Sequence, residues 1–142
     1  YSMPVFADMN GDGLPDLIIG NVGHKEFNPE LSGARLHYYE NTGEEGAPAF
    51  TLTDDDFAGA SQLQLRSIHP AIADMDGDGD LDLLVGDETG HIHYFKNQGH
   101  SSVYQFGAIV PNFESIDVGG TAHPQCYDLN NDQRMESVDM VN

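Results

Sequence analysis

Short apolar runs punctuate this chain at regular places. Pro4-Val-Phe-Ala7 and Leu17-Ile-Ile-Gly20 flank one acidic segment, and Pro70-Ala-Ile-Ala73 and Leu83-Leu-Val-Gly86 flank a second. Runs this short, bounded by glycine, proline and acidic residues, read as buried strands rather than helices of ten or more residues. Further on, Leu36-His-Tyr-Tyr-Glu-Asn41-Thr-Gly43 matches Ile92-His-Tyr-Phe-Lys-Asn97-Gln-Gly99, an aromatic strand closed by an Asn-x-Gly turn. Residues 49–53 and 104–109 complete each pattern as a final strand. The predicted order is therefore strand, acidic loop, strand, turn, aromatic strand, Asn-x-Gly turn, strand.

The pattern is a repeat. Between residues 4–21 and 70–87, 10 of 18 positions are identical, and Pro4, Pro70 and Pro124 each stand four residues before the first Asp of an acidic loop. The first copy carries extra residues over 22–34, an edge insertion of the kind where loops vary and bind. Four short antiparallel strands per repeat predict an all-β chain of consecutive β-propeller blades. The blades divide as residues 1–66 with the insertion 22–34, residues 67–120, and residues 121–142 as the start of a third. Because a propeller closes with roughly 4–8 blades, the ring is expected to be incomplete. The chain then reads as a piece of a longer protein, or one completed by other copies.

The acidic segments carry the candidate chemistry. Their grammar is Asp8, Asn10, Asp12, Leu14 and Asp16; then Asp74, Asp76, Asp78, Asp80 and Asp82; then Asp128, Asn130, Asp132, Arg134 and Glu136. Positions 1, 3, 5 and 9 offer side-chain oxygens, and position 7 offers a backbone carbonyl. Calcium takes about 6–8 oxygens in flexible geometry, whereas magnesium wants a stricter octahedron and zinc favours sulfur and nitrogen. The loops contain neither Cys nor His, so the expected ion is Ca²⁺. Gly13 and Gly79 at position 6 permit the sharp turn. An EF-hand would place Glu at position 12, where this chain has Ile19, Val85 and Asp139, and would be flanked by helices.

Charge changes the picture in one respect. The formal net charge is −19, with 24 acidic residues against five Lys and Arg, which excludes a basic nucleic-acid surface. Eleven of those acidic residues lie in the three loops, so three bound calcium ions would bring the net to −13. Much of the acidity is thus metal-binding, and folding and metal binding are expected to be coupled. No apolar run approaches the ~20 residues of a membrane span.

Cys126 is the sole cysteine, which excludes an internal disulfide. It matches Phe6 and Ile72 in the repeat and reads as a buried apolar thiol. His37 pairs with His93, and His69 with His123, at equivalent repeat positions, which points to architecture rather than catalysis; His24 and His100 lie outside that pattern. No nucleophile motif or phosphate-cradling loop is present, and an enzyme is not expected.

The segments from Phe6 to Gly20 and from Ile72 to Gly86, with Tyr39-Glu-Asn-Thr-Gly43 and Phe95-Lys-Asn-Gln-Gly99, resemble the FG-GAP or VCBS repeats of integrin-α-like β-propellers, in their bacterial secreted form. The resemblance covers nearly the whole chain. It implies Ca²⁺ held between the first two strands of each blade. It also implies a secreted or cell-surface protein that acts in binding or adhesion. The third repeat departs at Gln133 and in Ser137-Val-Asp-Met140, which sets its metal occupancy and its second strand apart. Expected partners are the remainder of the propeller or parent polypeptide, and a protein or glycan ligand. Phe27 beside Asn28 is the one aromatic–polar pair singled out for glycan contact. The alternative is a non-catalytic scaffold within a secreted multidomain protein that carries an enzyme elsewhere.

Overall fold

The computed structural model describes residues 3–21, 33–100, 103–111, 113–127 and 136–141, with residues 3, 108, 127 and 136–141 by backbone alone. Among the described residues, ten strands fall into three antiparallel sheets. The first is β1 (Met3–Ala7), β2 (Asp16–Gly20), β3 (Leu36–Asn41) and β4 (Phe50–Asp54), in that order. The second repeats it as β5 (Ile68–Ala73), β6 (Asp82–Asp87), β7 (Ile92–Asn97) and β8 (Phe106–Val110). A two-stranded sheet of β9 (Ala122–Tyr127) and β10 (Glu136–Val141) follows. In all three, the last residue before the acidic loop pairs with the loop's ninth: Ala7 with Asp16, Ala73 with Asp82, Tyr127 with Glu136. The third repeat thus keeps its second strand despite its divergent sequence.

The final strands begin later than the apolar pattern predicts, at Phe50 and Phe106. The β7–β8 ladder shifts register between Lys96 and Asn97, and such irregularities re-aim a strand end. Two short 3₁₀ segments, Phe57–Leu63 and Phe113–Ser115, follow the final strands, where the apolar pattern predicts no element. Each packs a Phe on the aromatic strand, Phe57 on Tyr38 and Phe113 on Tyr94, both at 5.1 Å between ring centroids. The connector is therefore part of the repeat.

The sheets pack face on face. Ile18, Leu36 and Tyr38 of the first sheet meet Ile68, Leu83, Val85 and Phe95 around Phe57. The opposite face of the second sheet, with Ala71, Leu84, Ile92 and Tyr94, packs on Ala122. Covered on both sides, β6 is buried at all six positions, whereas β2 alternates buried and half-buried. Two near-identical strands thus differ in burial only because one has two neighbours. Each fully buried aliphatic or aromatic side chain contributes about 1.5–3 kcal/mol relative to exposure.

Close approach between sheets rests on two equivalent glycines. A Cβ built on Gly20 would stand 2.3 Å from the Ile68 carbonyl oxygen, and one on Gly86 would stand 2.2 Å from that of Ala122. The first strands β1, β5 and β9 are sheet edges. Their prolines lack a ladder N–H, as suits an edge, and Pro4, Pro70 and Pro124 line one open cavity of about 370 Å³. Cys126 lies on that cavity, half-buried rather than fully enclosed, and burial raises its thiol pKa to about 11.

The insertion is closed at its base. Asn21 donates its backbone N–H to the Arg35 carbonyl at 3.1 Å and accepts the Arg35 N–H on Oδ1 at 2.7 Å. The short turn of the second repeat closes alike: Asp87 donates to the His91 carbonyl at 3.0 Å and accepts the His91 N–H on Oδ1 at 3.1 Å. Extra residues thus enter without disturbing the strands.

Candidate metal centre

The hairpin between β1 and β2, and that between β5 and β6, present the acidic loops. Backbone sterics shape them first. Gly11 and Gly13 have φ of 77° and 85°, and Gly77 and Gly79 have 77° and 92°, so positions 4 and 6 both need glycine's access to positive φ.

The first carboxylate organises the turn. Asp8 Oδ1 accepts the N–H of Gly11 at 2.7 Å and of Asp12 at 3.2 Å, and Oδ2 accepts that of Gly13 at 2.9 Å. Asp74 does the same for Gly77, Asp78 and Gly79, at 2.8, 3.2 and 2.8 Å. Asn10 and Asp12 accept the N–H groups of Asp12 and Leu14 at 3.1 and 2.8 Å, and Asp76 and Asp78 repeat the pattern with Asp78 and Asp80 at 3.2 and 2.9 Å. These bonds hold the side chains of positions 1, 3 and 5 on the inside of the turn. In the second loop, one oxygen from each of Asp74, Asp76 and Asp78 lies within 4.8 Å of the others.

Position 9 does something different. Asp16 is fully buried, and its two oxygens accept the N–H of Met9 at 3.0 Å and of Asn41 at 2.9 Å. Asp82 is equally buried and accepts from Met75 at 3.0 Å and Asn97 at 2.9 Å. These two residues tie the loop's second residue to the end of the aromatic strand. Burial raises the Asp82 carboxyl pKa, although the bonds from Asn97 and Met75 pull the other way. Burial beside Asp16 and Asp82 likewise raises the phenols of Tyr38 and Tyr94.

The latch continues through two asparagines that the motif alone presents only as turn residues. Asn41 Oδ1 accepts the N–H of Gly43 at 3.1 Å and of Ala49 at 3.2 Å, while its Nδ2 donates to the Pro15 carbonyl at 3.2 Å. Asn97 repeats this with Gly99 at 2.9 Å, Gln105 at 2.9 Å and the Leu81 carbonyl at 3.1 Å. The equivalence of Asn41 and Asn97 in the repeat is the signal that points to them.

The strand residue just before that asparagine also reaches the loop. Glu40 Oε1 accepts from Asn10 Nδ2 at 3.2 Å. Its counterpart Lys96 pairs with the Asp76 carboxylate and stands 3.4 Å from Asp78 Oδ2. An ammonium thus sits against two of the three clustered carboxylates. An all-oxygen donor set of hard ligands that already attracts a cation fits a hard divalent ion.

The remaining candidates divide. Leu14 and Asp80 hold position 7 in their turns. Asp128, Asn130, Asp132 and Arg134 lie outside the described residues, as do His24, Phe27 and Asn28, and Glu136 is described by its β10 backbone alone. His93, at the repeat position of His37, is buried against Asp87, with Nε2 2.8 Å from Oδ2. Burial acts to raise the Asp87 pKa, but hydrogen bonds from His93, Thr89 and His91 outweigh it and hold the carboxyl below its ordinary value. No helix among the described residues is long and apolar enough to cross a membrane.

No curated protein matches the chain. The family model of the FG-GAP-like repeat matches it twice, over residues 8–85 and 74–138. Each match takes in an acidic loop, the last three strands of its sheet, the first strand of the next sheet and the loop that follows. Together they reach from Asp8 into β10, so the chain belongs to the FG-GAP-like repeat family.

Proposed function

We propose that this chain is a calcium-stabilised repeat module of a secreted or cell-surface protein, its sheets consecutive blades of a β-propeller, acting in binding or adhesion to a protein or glycan. The observation that carries the metal part is the convergence of Asp74, Asp76 and Asp78 in a turn whose backbone is duplicated around Asp8, Asn10 and Asp12. Bound calcium would supply the positive charge that lets these carboxylates stand together. Asp16 and Asp82 hold each loop on its sheet. Repeats of this family are typically extracellular, where calcium is plentiful, and that supports the location.

The ring reading draws on the first sheet's outer face. Phe6 is 58% exposed and Leu52 49%, and Leu17 and Tyr39 beside them are only half-buried. Their counterparts Leu83 and Phe95 are fully buried against the first sheet. The fitting cover for the open face is another repeat presenting residues like Ile18, Leu36 and Tyr38. That face also favours a second reading, a scaffold segment within a longer secreted protein. For ligand binding, an open cavity of about 690 Å³ lies against the first loop, with Asp12, Leu14, Glu44, Glu45 and Pro48 among its walls.

Isothermal titration with calcium, paired with melting in EDTA and in calcium, tests the metal reading. Binding with a raised melting temperature is expected; no heat and an unchanged melt would overturn it. A glycan array probed in calcium and in EDTA tests the ligand, and no calcium-dependent binding would leave the scaffold role.

A further inference from the structure

The two described loops share one backbone and differ in charge at three places: Asn10 against Asp76, Leu14 against Asp80, and, on the third strand, Glu40 against Lys96. Glu40 and Lys96 occupy the same repeat position, directly before the latch asparagines. Glu40 places a carboxylate beside Asn10 at 3.2 Å. Lys96 places an ammonium on Asp76 and 3.4 Å from Asp78. The second loop is not sealed: the Lys96, Asp76 and Asp78 side chains are 40%, 31% and 38% exposed, so the ion pair is free to open.

We propose that this third-strand residue sets the calcium affinity of its loop, with Lys96 an internal competitor for the second site and Glu40 a reinforcement of the first. The inference rests on the calcium reading above. A divalent ion entering the second loop must displace the Lys96 ammonium from Asp76 and Asp78, or share their charge with it. Entering the first loop, it meets the Glu40 carboxylate beside Asn10 and, among the described residues, no ammonium paired with the loop's carboxylates. The second loop therefore holds Asp76 and Asp78 together in low calcium through Lys96, and binds its ion more weakly than it would without that ammonium. Exposed ion pairs of this kind are screened by solvent and interact only modestly. Replacing Lys96 should thus shift the second site by up to about fivefold.

The test is a calcium titration of the whole chain followed by amide NMR. Gly11 and Gly13 report the first loop, and Gly77 and Gly79 the second, since their N–H groups bond to Asp8 and Asp74. Lys96→Gln should move the second midpoint down by a few-fold, up to about fivefold, and leave the first in place. Glu40→Lys should move the first midpoint up and leave the second. If calcium shifts both pairs but neither substitution moves its midpoint, the tuning role is wrong and the calcium reading stands. If calcium shifts neither pair in any variant, both are wrong.

Discussion

His69 and His123 stack at the seam between the second and third sheets, their ring centroids 4.0 Å apart and their planes 32° from parallel. They hold the same repeat position on β5 and β9. The contact joins neighbouring repeats through side chains that, free in water, would take up a proton just below neutral pH.

The stack should make stability fall in mild acid. Burial, and then His123 beside it, lower the His69 pKa to about 4, while Glu88 pulls weakly the other way. Its unfolded value is about 6.5. The unfolded chain therefore binds the proton first. The stability from keeping His69 neutral is fully present above about pH 6.5 and is lost as pH falls toward 4. A tenfold change in proton affinity corresponds to about 1.4 kcal/mol, so a loss of up to about 3 kcal/mol is expected across that window. Urea unfolding of the native chain and of His69→Gln between pH 7 and 4, in fixed calcium, checks it. Parallel pH profiles for the two would remove His69 as the cause.

The glycine seam predicts a sharp intolerance. Gly86→Ala puts a Cβ 2.2 Å from the Ala122 backbone oxygen, and backbone cannot swing aside as a side chain can. Overpacking of this kind costs about 1–3 kcal/mol, and melting should show at least that. Gly79→Ala is the contrast: nothing lies within 4 Å, but φ is +92°, so its cost is local strain of about 1 kcal/mol. A Gly86→Ala protein as stable as the native chain would mean that the sheets do not meet there.

Asn97→Ala should loosen the second repeat without touching a loop carboxylate. The side chain is 3% exposed and serves Gly99, Gln105 and the Leu81 carbonyl. These bonds are part-buried and water can replace some of them, so their loss costs about 0.5–1.5 kcal/mol. Hydrogen exchange at the Gly99 and Gln105 amides should quicken more than at Val85 in the middle of β6. Equal protection in the variant would show that the turn is held by other means.

Much of this is legible in the sequence, and for physical reasons. Pro4, Pro70 and Pro124, the Asp-x-Asn/Asp-x-Asp turns and the paired aromatic strands are local devices, so spacing alone announces them. The predicted first, second and third strands of both four-stranded sheets stand where the apolar runs place them. What spacing does not reveal is set by partners far along the chain. Leu17 and Leu83 are the same residue in the same repeat, yet only Leu83 is fully covered, because only its sheet has a neighbour on that side. Asp16 and Asp82 read as metal oxygens from their place in the motif, whereas their burial and their bonds to Asn41 and Asn97 depend on a strand 25 and 15 residues away. Phe57 and Phe113 repeat as faithfully as the loops, but an isolated Phe after a strand carries no signal until its contact with Tyr38 or Tyr94 is seen.

The division of labour within the loop gives the last prediction. Asp82→Asn turns one acceptor into a donor that faces the N–H of Met75 or Asn97, both of which bond to the carboxylate at 3.0 and 2.9 Å. One buried N–H then loses its partner, which costs about 1–3 kcal/mol whether or not metal is present. Asp78→Ala removes an exposed carboxylate whose protein partners are the Asp80 N–H and Lys96. In EDTA it should cost under about 1 kcal/mol, as exposed pairs do. Its larger effect should appear only in calcium, as lost metal stabilisation. The measurement is a pair of melts for each variant, with and without EDTA. A calcium-independent loss for Asp82→Asn and a calcium-dependent one for Asp78→Ala would separate the residue that fastens the loop from the residue that faces the ion. If both losses vanish in EDTA, position 9 acts chiefly through the metal and its latch contributes little.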